Sequence, residues 1–112
     1  MANAEIVVRF TQEGFHHWPD APDKRHYLRH LHRHLFHVEV ALEVLGDNRE
    51  VEFHDLLDYC KAQFSGGNLS YRSCEQMARA LLEKVTRQYE GRRVTVGVFE
   101  DGEVGARVTA GD

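Results

Sequence analysis

Between His32 and Gly46 the chain alternates. The even positions are His32, His34, Phe36, Val38, Val40, Leu42 and Val44, and the odd ones include Arg33, His37, Glu39 and Glu43. A repeat of two is the signature of a β-strand, whose successive side chains point to opposite faces. So long a strand with a single apolar row asks for a sheet covered on one side only. The same repeat puts His32 and His34 on one face, in line with the apolar row. Gly46, Asp47 and Asn48 close the strand with turn chemistry.

The other segments fit around this strand. Residues 4–12 are short and β-rich, and predict a first strand. Residues 14–31 hold Gly14, Pro19, Pro22 and several charges, and read as an irregular loop. Phe53, Leu56, Leu57, Cys60 and Phe64 are spaced as the apolar stripe of a helix over 53–64. Ser65, Gly66, Gly67 and Asn68 break it. Ser73, with Gln76 three residues on, forms a capping box that opens a second helix. Met77, Ala80, Leu81, Val85 and Tyr89 give that helix its buried face, and Gly91 ends it. Strands are expected at 92–99 and 103–109, joined by a two-residue Asp101-Gly102 turn. The order is β-β-α-α-β-β. It predicts an α+β domain, a four-stranded antiparallel sheet with both helices on one face. The sheet would keep open edges, which proteins commonly cover by assembly.

With 112 residues, the chain is read as one domain spanning 1–112. No apolar run approaches the roughly 20 residues of a membrane-spanning helix, so no membrane partner is expected. Met1 and the residues after it do not resemble a signal peptide. A net charge of −4 without a basic block argues against nucleic acid as partner. Two cysteines, Cys60 and Cys74, are too few for a disulfide scaffold. Free thiols and a cytoplasmic setting are the expectation. Cys60 reads as a small core residue, and Cys74 as a residue of a helix first turn.

Histidine is the unusual component: there are eight, and six fall between residues 16 and 34. His32 and His34 at i and i+2 on a strand point the same way, so their nitrogens can converge on one ion. His16 or His17, just past the first strand, can supply a third ligand. Three His with an open fourth position is the pattern of a catalytic zinc site. Glu75 in a helix first turn and Glu100 at a strand end have ordinary explanations in helix-dipole and surface terms.

Five segments, in order, carry a resemblance to a known family. Phe10-Thr11-Gln12-Glu13-Gly14-Phe15-His16-His17-Trp18-Pro19 is similar to F-x-x-x-A-A-H-x-L-P. Leu31-His32-Arg33-His34-Leu35-Phe36-His37-Val38-Glu39-Val40 is similar to L-H-G-H-x-[FY]-x-V-x-V. Val51-Glu52-Phe53-His54-Asp55-Leu56 resembles I-D-F-x-x-L, and Ser73-Cys74-Glu75-Gln76-Met77-Ala78 resembles T-x-E-x-L-A. Val96-Gly97-Val98-Phe99-Glu100 looks like the strand that ends in a substrate-holding Glu. These are motifs of the 6-pyruvoyl-tetrahydropterin synthase / 6-carboxy-tetrahydropterin synthase family, and the resemblance covers most of residues 6–109.

The resemblance implies a tunnelling fold, with subunits joining their sheets into a barrel as trimers or hexamers. It implies a zinc ion on His16, His32 and His34, with His17 as the alternative to His16. Glu100 becomes the pterin anchor, and Glu75 a second substrate-binding candidate. The implied substrate is 7,8-dihydroneopterin triphosphate, from which triphosphate is eliminated. Zinc would act as a Lewis acid on the side-chain oxygens. A carboxylate facing an aminopyrimidine can accept two N–H bonds.

The chain departs from the family pattern at its acid–base groups. Leu28, preceded by Tyr27, stands where the family carries its proton-abstracting Cys. The segment between the helices has no Asp-His pair, and Arg33 replaces the Gly of H-G-H. Two main readings follow. One is a zinc-dependent lyase in which His30, His26 or Tyr27 serves as base. The other is a zinc-bearing protein that binds a pterin, a guanine-like base or a nucleotide without turnover. A structural oligomer with a vestigial site is a third.

Overall fold

The computed structural model describes residues 3–64 and 67–111. The alternating run forms β2 (His32–Val44), with Phe36, Val38, Val40, Leu42 and Val44 all buried. It pairs antiparallel with β1 (Ala4–His16) from Ala4 opposite Val44 to His16 opposite His32. β1 therefore runs beyond the predicted end at residue 12. Gly14 permits this, because a Cβ there would stand 2.8 Å from Leu69 Cδ1 and 3.1 Å from the Phe36 ring. Only a residue without a side chain passes so close without displacing its neighbours.

What remains of the expected loop is not structureless. Asp23–Arg29 form 3₁₀ turns after the two prolines. Trp18 N–H donates to the Leu28 carbonyl at 2.7 Å, and the Arg29 side chain binds the Ala21 carbonyl at 2.7 Å and Asp23 at 2.9 Å. Backbone pairing and one guanidinium thus hold the segment as a closed arch.

Two helices follow. α1 (Phe53–Gln63) starts where the Glu52 carboxylate accepts from the backbone N–H groups of His54 and Asp55. α2 (Cys74–Gln88) starts at the capping box read from the sequence. Ser73 Oγ accepts from Gln76 N–H at 3.1 Å, and Gln76 Oε1 accepts from Ser73 N–H at 2.9 Å. Between the helices lies β3 (Gly67–Asn68), where the sequence suggested only a break. It pairs in parallel with β1 at Gly14 and Phe15. The order is accordingly β-β-α-β-α-β-β, a correction to the six-element prediction.

β4 (Val94–Glu100) and β5 (Val104–Ala110) complete an antiparallel set of β1, β2, β4 and β5, and the full strand order is β3-β1-β2-β4-β5. The β4–β5 loop has three residues, Asp101 to Glu103, instead of the expected two, because Glu100 pairs with Val104. Asp101 and Gly102 both take left-handed backbone, at φ 55° and 74°. Asp and Gly are among the residues that tolerate this best.

Both helices cover one face. Leu56 and Cys60 of α1, and Met77, Leu81 and Val85 of α2, join Val8, Phe10, Phe36, Val38, Val40, Leu42, Val94, Val96 and Val98 in one core. Burying each large apolar side chain stabilises by roughly 1.5–3 kcal/mol. The opposite face carries charges: Glu39 bridges Arg9 at 2.8 Å and Arg107 at 3.5 Å, and the Arg107 guanidinium lies over the Phe99 ring. Among the described residues, no helix is long and apolar enough to cross a membrane.

Candidate metal centre

The core-facing row of β2 continues past the last apolar residue, Phe36, into His34 and His32. These two sit at the N-terminal end of the strand and are half-buried. Opposite them, His16 ends β1 as the register partner of His32. One ring nitrogen from each of His16, His32 and His34 lies within 4.8 Å of the others, close enough to share one ion. The rings stand edge to face, with centroids 4.6 Å, 4.9 Å and 5.2 Å apart. Phe36 forms the floor, its ring 5.3 Å from that of His16 and 5.7 Å from that of His34.

Each imidazole is held by its Nδ1. His16 Nδ1 lies 2.9 Å from the Arg72 carbonyl, His32 Nδ1 2.9 Å from the His30 carbonyl, and His34 Nδ1 2.7 Å from Asp101 Oδ2. All three partners are acceptors, so each Nδ1 carries a proton, and in the neutral ring Nε2 is then the nitrogen with a lone pair. Metal-binding histidines are characteristically oriented in this way. Nε2 of His16 and of His34 are buried and form no well-shaped hydrogen bond; among the described residues they face the Glu100 carboxylate. Buried polar atoms of this kind are uncommon and call for a missing partner. A divalent cation is a partner that the three imidazoles could share.

Glu100, the last residue of β4, brings a carboxylate to the same spot. Its Oε2 is 3.1 Å from His16 Nε2, and its Oε1 is 3.6 Å from His34 Nε2. Burial disfavours the charged imidazole of His16, but the Glu100 carboxylate and the Arg72 carbonyl outweigh it and hold its pKa above the ordinary value. His32 goes the other way, lowered by burial and by its two imidazole neighbours despite the His30 carbonyl. The His16 side chain, ahead of the opposing effect of burial, keeps Glu100 below the usual carboxylate range. The site therefore presents an ionised carboxylate beside three neutral-imidazole donors once a cation displaces protons.

The first turn of α2 closes one side. Cys74 Sγ lies 3.9 Å from Glu100 Oε2, and burial, then Glu100 and Glu75, push the thiol up to about 12. Cys74 stays a protonated thiol, as a buried structural cysteine does. Cys60 is buried in the core, and its thiol is likewise raised to about 12.

The structure gathers His16, His32, His34 and Glu100. It does not gather the rest. His17 lies beyond the end of β1, its N–H bound to the Ser70 carbonyl at 2.9 Å, and it stands outside the histidine group. His26 turns its Nδ1 back to the Asp23 carbonyl at 3.2 Å, and Tyr27 is 56% exposed. His30 is exposed and reaches the group only through its backbone carbonyl. Glu75 is exposed in the first turn of α2.

Sequence reasoning missed Asp101 and the carbonyls of Arg72 and His30. Asp101 stood out only as a turn residue. Its alignment with His34 depends on a loop one residue longer than expected, and main-chain acceptors leave no mark on side-chain patterns. No protein-family model and no curated protein matches this chain.

Proposed function

We propose that His16, His32 and His34 hold a divalent metal ion, zinc by the character of the donor set, in a zinc-dependent tetrahydropterin synthase-like lyase. The substrate on this reading is 7,8-dihydroneopterin triphosphate, and the reaction is elimination of triphosphate. The observation that carries the metal reading is the geometry of the three imidazoles, with one ring nitrogen of each within 4.8 Å of the others, every Nδ1 on an acceptor, and the Nε2 atoms of His16 and His34 buried beside the Glu100 carboxylate. When bound, the metal would supply Lewis acidity to the substrate's side-chain oxygens. With the metal on the Nε2 atoms that Glu100 now faces, the Glu100 carboxylate would turn from them to accept the N–H groups of the pterin ring and fix its orientation. The fold on this reading is the tunnelling fold. The free edge of β5 and the stretch of β1 not covered by β3 would meet in a multi-subunit barrel.

A specific observation favours the second reading, a metal-bearing binding protein without turnover. His26, Tyr27 and His30 are all exposed and none belongs to the histidine group, and the Cys74 thiol beside Glu100 is held protonated. On this reading the ligand is a pterin, a guanine-like base or a nucleotide held by Glu100.

One experiment separates the two. Zinc-loaded protein is incubated with 7,8-dihydroneopterin triphosphate without oxygen, and the supernatant and the gel-filtered protein are analysed by mass spectrometry beside Glu100→Ala. Free triphosphate with a new pterin supports the lyase. Intact substrate retained by wild type and lost by Glu100→Ala supports binding alone. Neither turnover nor retention rejects a pterin ligand.

A further inference from the structure

We propose that Asp101 is the positioning residue that sets His34 as a metal ligand, fixing both the direction of its ring and the nitrogen that bears its proton. The inference rests on the metal reading above.

Asp101 uses both carboxylate oxygens on neighbouring residues of β2. Oδ2 lies 2.7 Å from His34 Nδ1, and Oδ1 accepts from the Leu35 backbone N–H at 2.9 Å. Its own N–H donates to the Leu35 carbonyl at 2.8 Å. The residue is thereby clamped across the start of β2, in a left-handed conformation at φ 55° that the three-residue loop imposes. Leu35 N–H determines which oxygen faces which partner. Because a backbone N–H can only donate, Oδ1 is committed to it, and Oδ2 is left for the imidazole. A carboxylate oxygen accepts only, so His34 must present N–H at Nδ1, which leaves Nε2 as the nitrogen free to bind a metal. His16 and His32 obtain the same result from main-chain carbonyls, which no substitution removes. Of the three ligands, His34 is the one whose Nδ1 partner is a side chain, and a carboxylate also raises the basicity of the ring it holds.

This arrangement gives Asp101→Asn an unusual expected effect. Asn accepts left-handed backbone readily. Its Oδ1 keeps the bond from Leu35 N–H, which turns its NH₂ group toward His34 Nδ1. Two donors cannot face each other, so Nδ1 becomes the acceptor and the proton moves to Nε2, the atom the metal needs. Asp101→Gly keeps the backbone conformation but lets water accept from Nδ1.

The test is metal affinity, measured by competition with a chromophoric zinc chelator, together with the cobalt(II) absorption spectrum and a thermal melt in the presence of chelator. The expected result is that Asp101→Asn melts near wild type yet binds zinc about 10–100-fold more weakly, and more weakly than Asp101→Gly, with altered cobalt bands. If Asp101→Asn binds zinc as wild type does, or more tightly than Asp101→Gly, Asp101 only braces the loop and the proposal is overturned. His34→Ala in the same titration keeps the two claims apart. Zinc lost in His34→Ala but kept in Asp101→Asn overturns the Asp101 role alone. Zinc kept by His34→Ala overturns the metal reading and this proposal with it.

Discussion

His16 and His32 are direct register partners at the last rung of the β1–β2 ladder. The position of one ligand relative to another is thus set by strand pairing, and whatever shifts β1 along β2 separates them. A slip of a single residue would turn the row of side chains to the other face. Gly14, two residues from His16, is where this dependence can be probed. Gly14→Ala places a methyl 2.8 Å from Leu69 and 3.1 Å from Phe36. A loss of about 1–3 kcal/mol in chemical denaturation is expected, together with weaker zinc binding. Denaturation with and without chelator checks both.

Removal of single imidazoles distinguishes ligands from neighbours. His16→Ala, His32→Ala and His34→Ala should each lose bound zinc after gel filtration, as measured by elemental analysis. His37→Ala should keep it, because His37 is an odd-numbered residue of β2, facing away from the group and lying beside Gly102. Equal zinc in all four proteins would refute the ligand set.

Phe36 connects the site to the core. It is fully buried, and its ring touches those of His16 and His34. Phe36→Ala should cost about 3–5 kcal/mol, a large share of the 5–15 kcal/mol typical of a domain. The urea midpoint should fall accordingly, and zinc affinity should fall with it.

The start of α1 gives a pH-dependent stability. Burial alone would raise the Glu52 pKa, but the His54 side chain and the backbone N–H groups of His54 and Asp55 outweigh it and hold the carboxyl below its ordinary value. A carboxylate lowered by folding contributes stability above its unfolded pKa, roughly 4.3. That contribution is lost as pH falls through the folded value. Glu52→Gln should therefore melt below wild type by a few degrees near pH 7, and the gap should close in acid. A gap unchanged down to pH 3 would assign the cap to something other than the ionised carboxylate.

Thiol chemistry offers another check. Cys60 is wholly buried, with its thiol pushed up to about 12 by burial. Iodoacetamide at pH 8 should leave Cys60 unmodified in the native protein and alkylate it fully in denaturant, as peptide mass mapping would show. Rapid native labelling would mean that α1 opens readily from the sheet.

Patterns that depend on periodicity were readable in advance. The alternation of β2 gave its start and its buried face, though the strand ends at Val44, short of the expected 46, and the spacing of Leu56, Cys60, Met77, Leu81 and Val85 gave both helices. The same alternation aligned His32 with His34. Features made by contacts distant in sequence were not readable. Gly14 reads as a loop residue unless Leu69 and Phe36 are known to lie against it. Gly67 and Asn68 form a strand only because β1 runs far enough to meet them. Asp101 aligns with His34 from 67 positions away, through a loop whose length the turn residues did not reveal.

The three anchors of the imidazoles come from separate parts of the chain: the His30 carbonyl before β2, the Arg72 carbonyl before α2, and Asp101 between β4 and β5. An ion held by the three rings would act as a clasp across the topology. Releasing any of those segments would loosen a ligand, so local opening events that are independent without the ion would become coupled with it. Amide exchange in the arch, the α2 entry and the β4–β5 loop should then slow together on metal loading, by the same mass action that stabilises any protein through a ligand bound only in its native state.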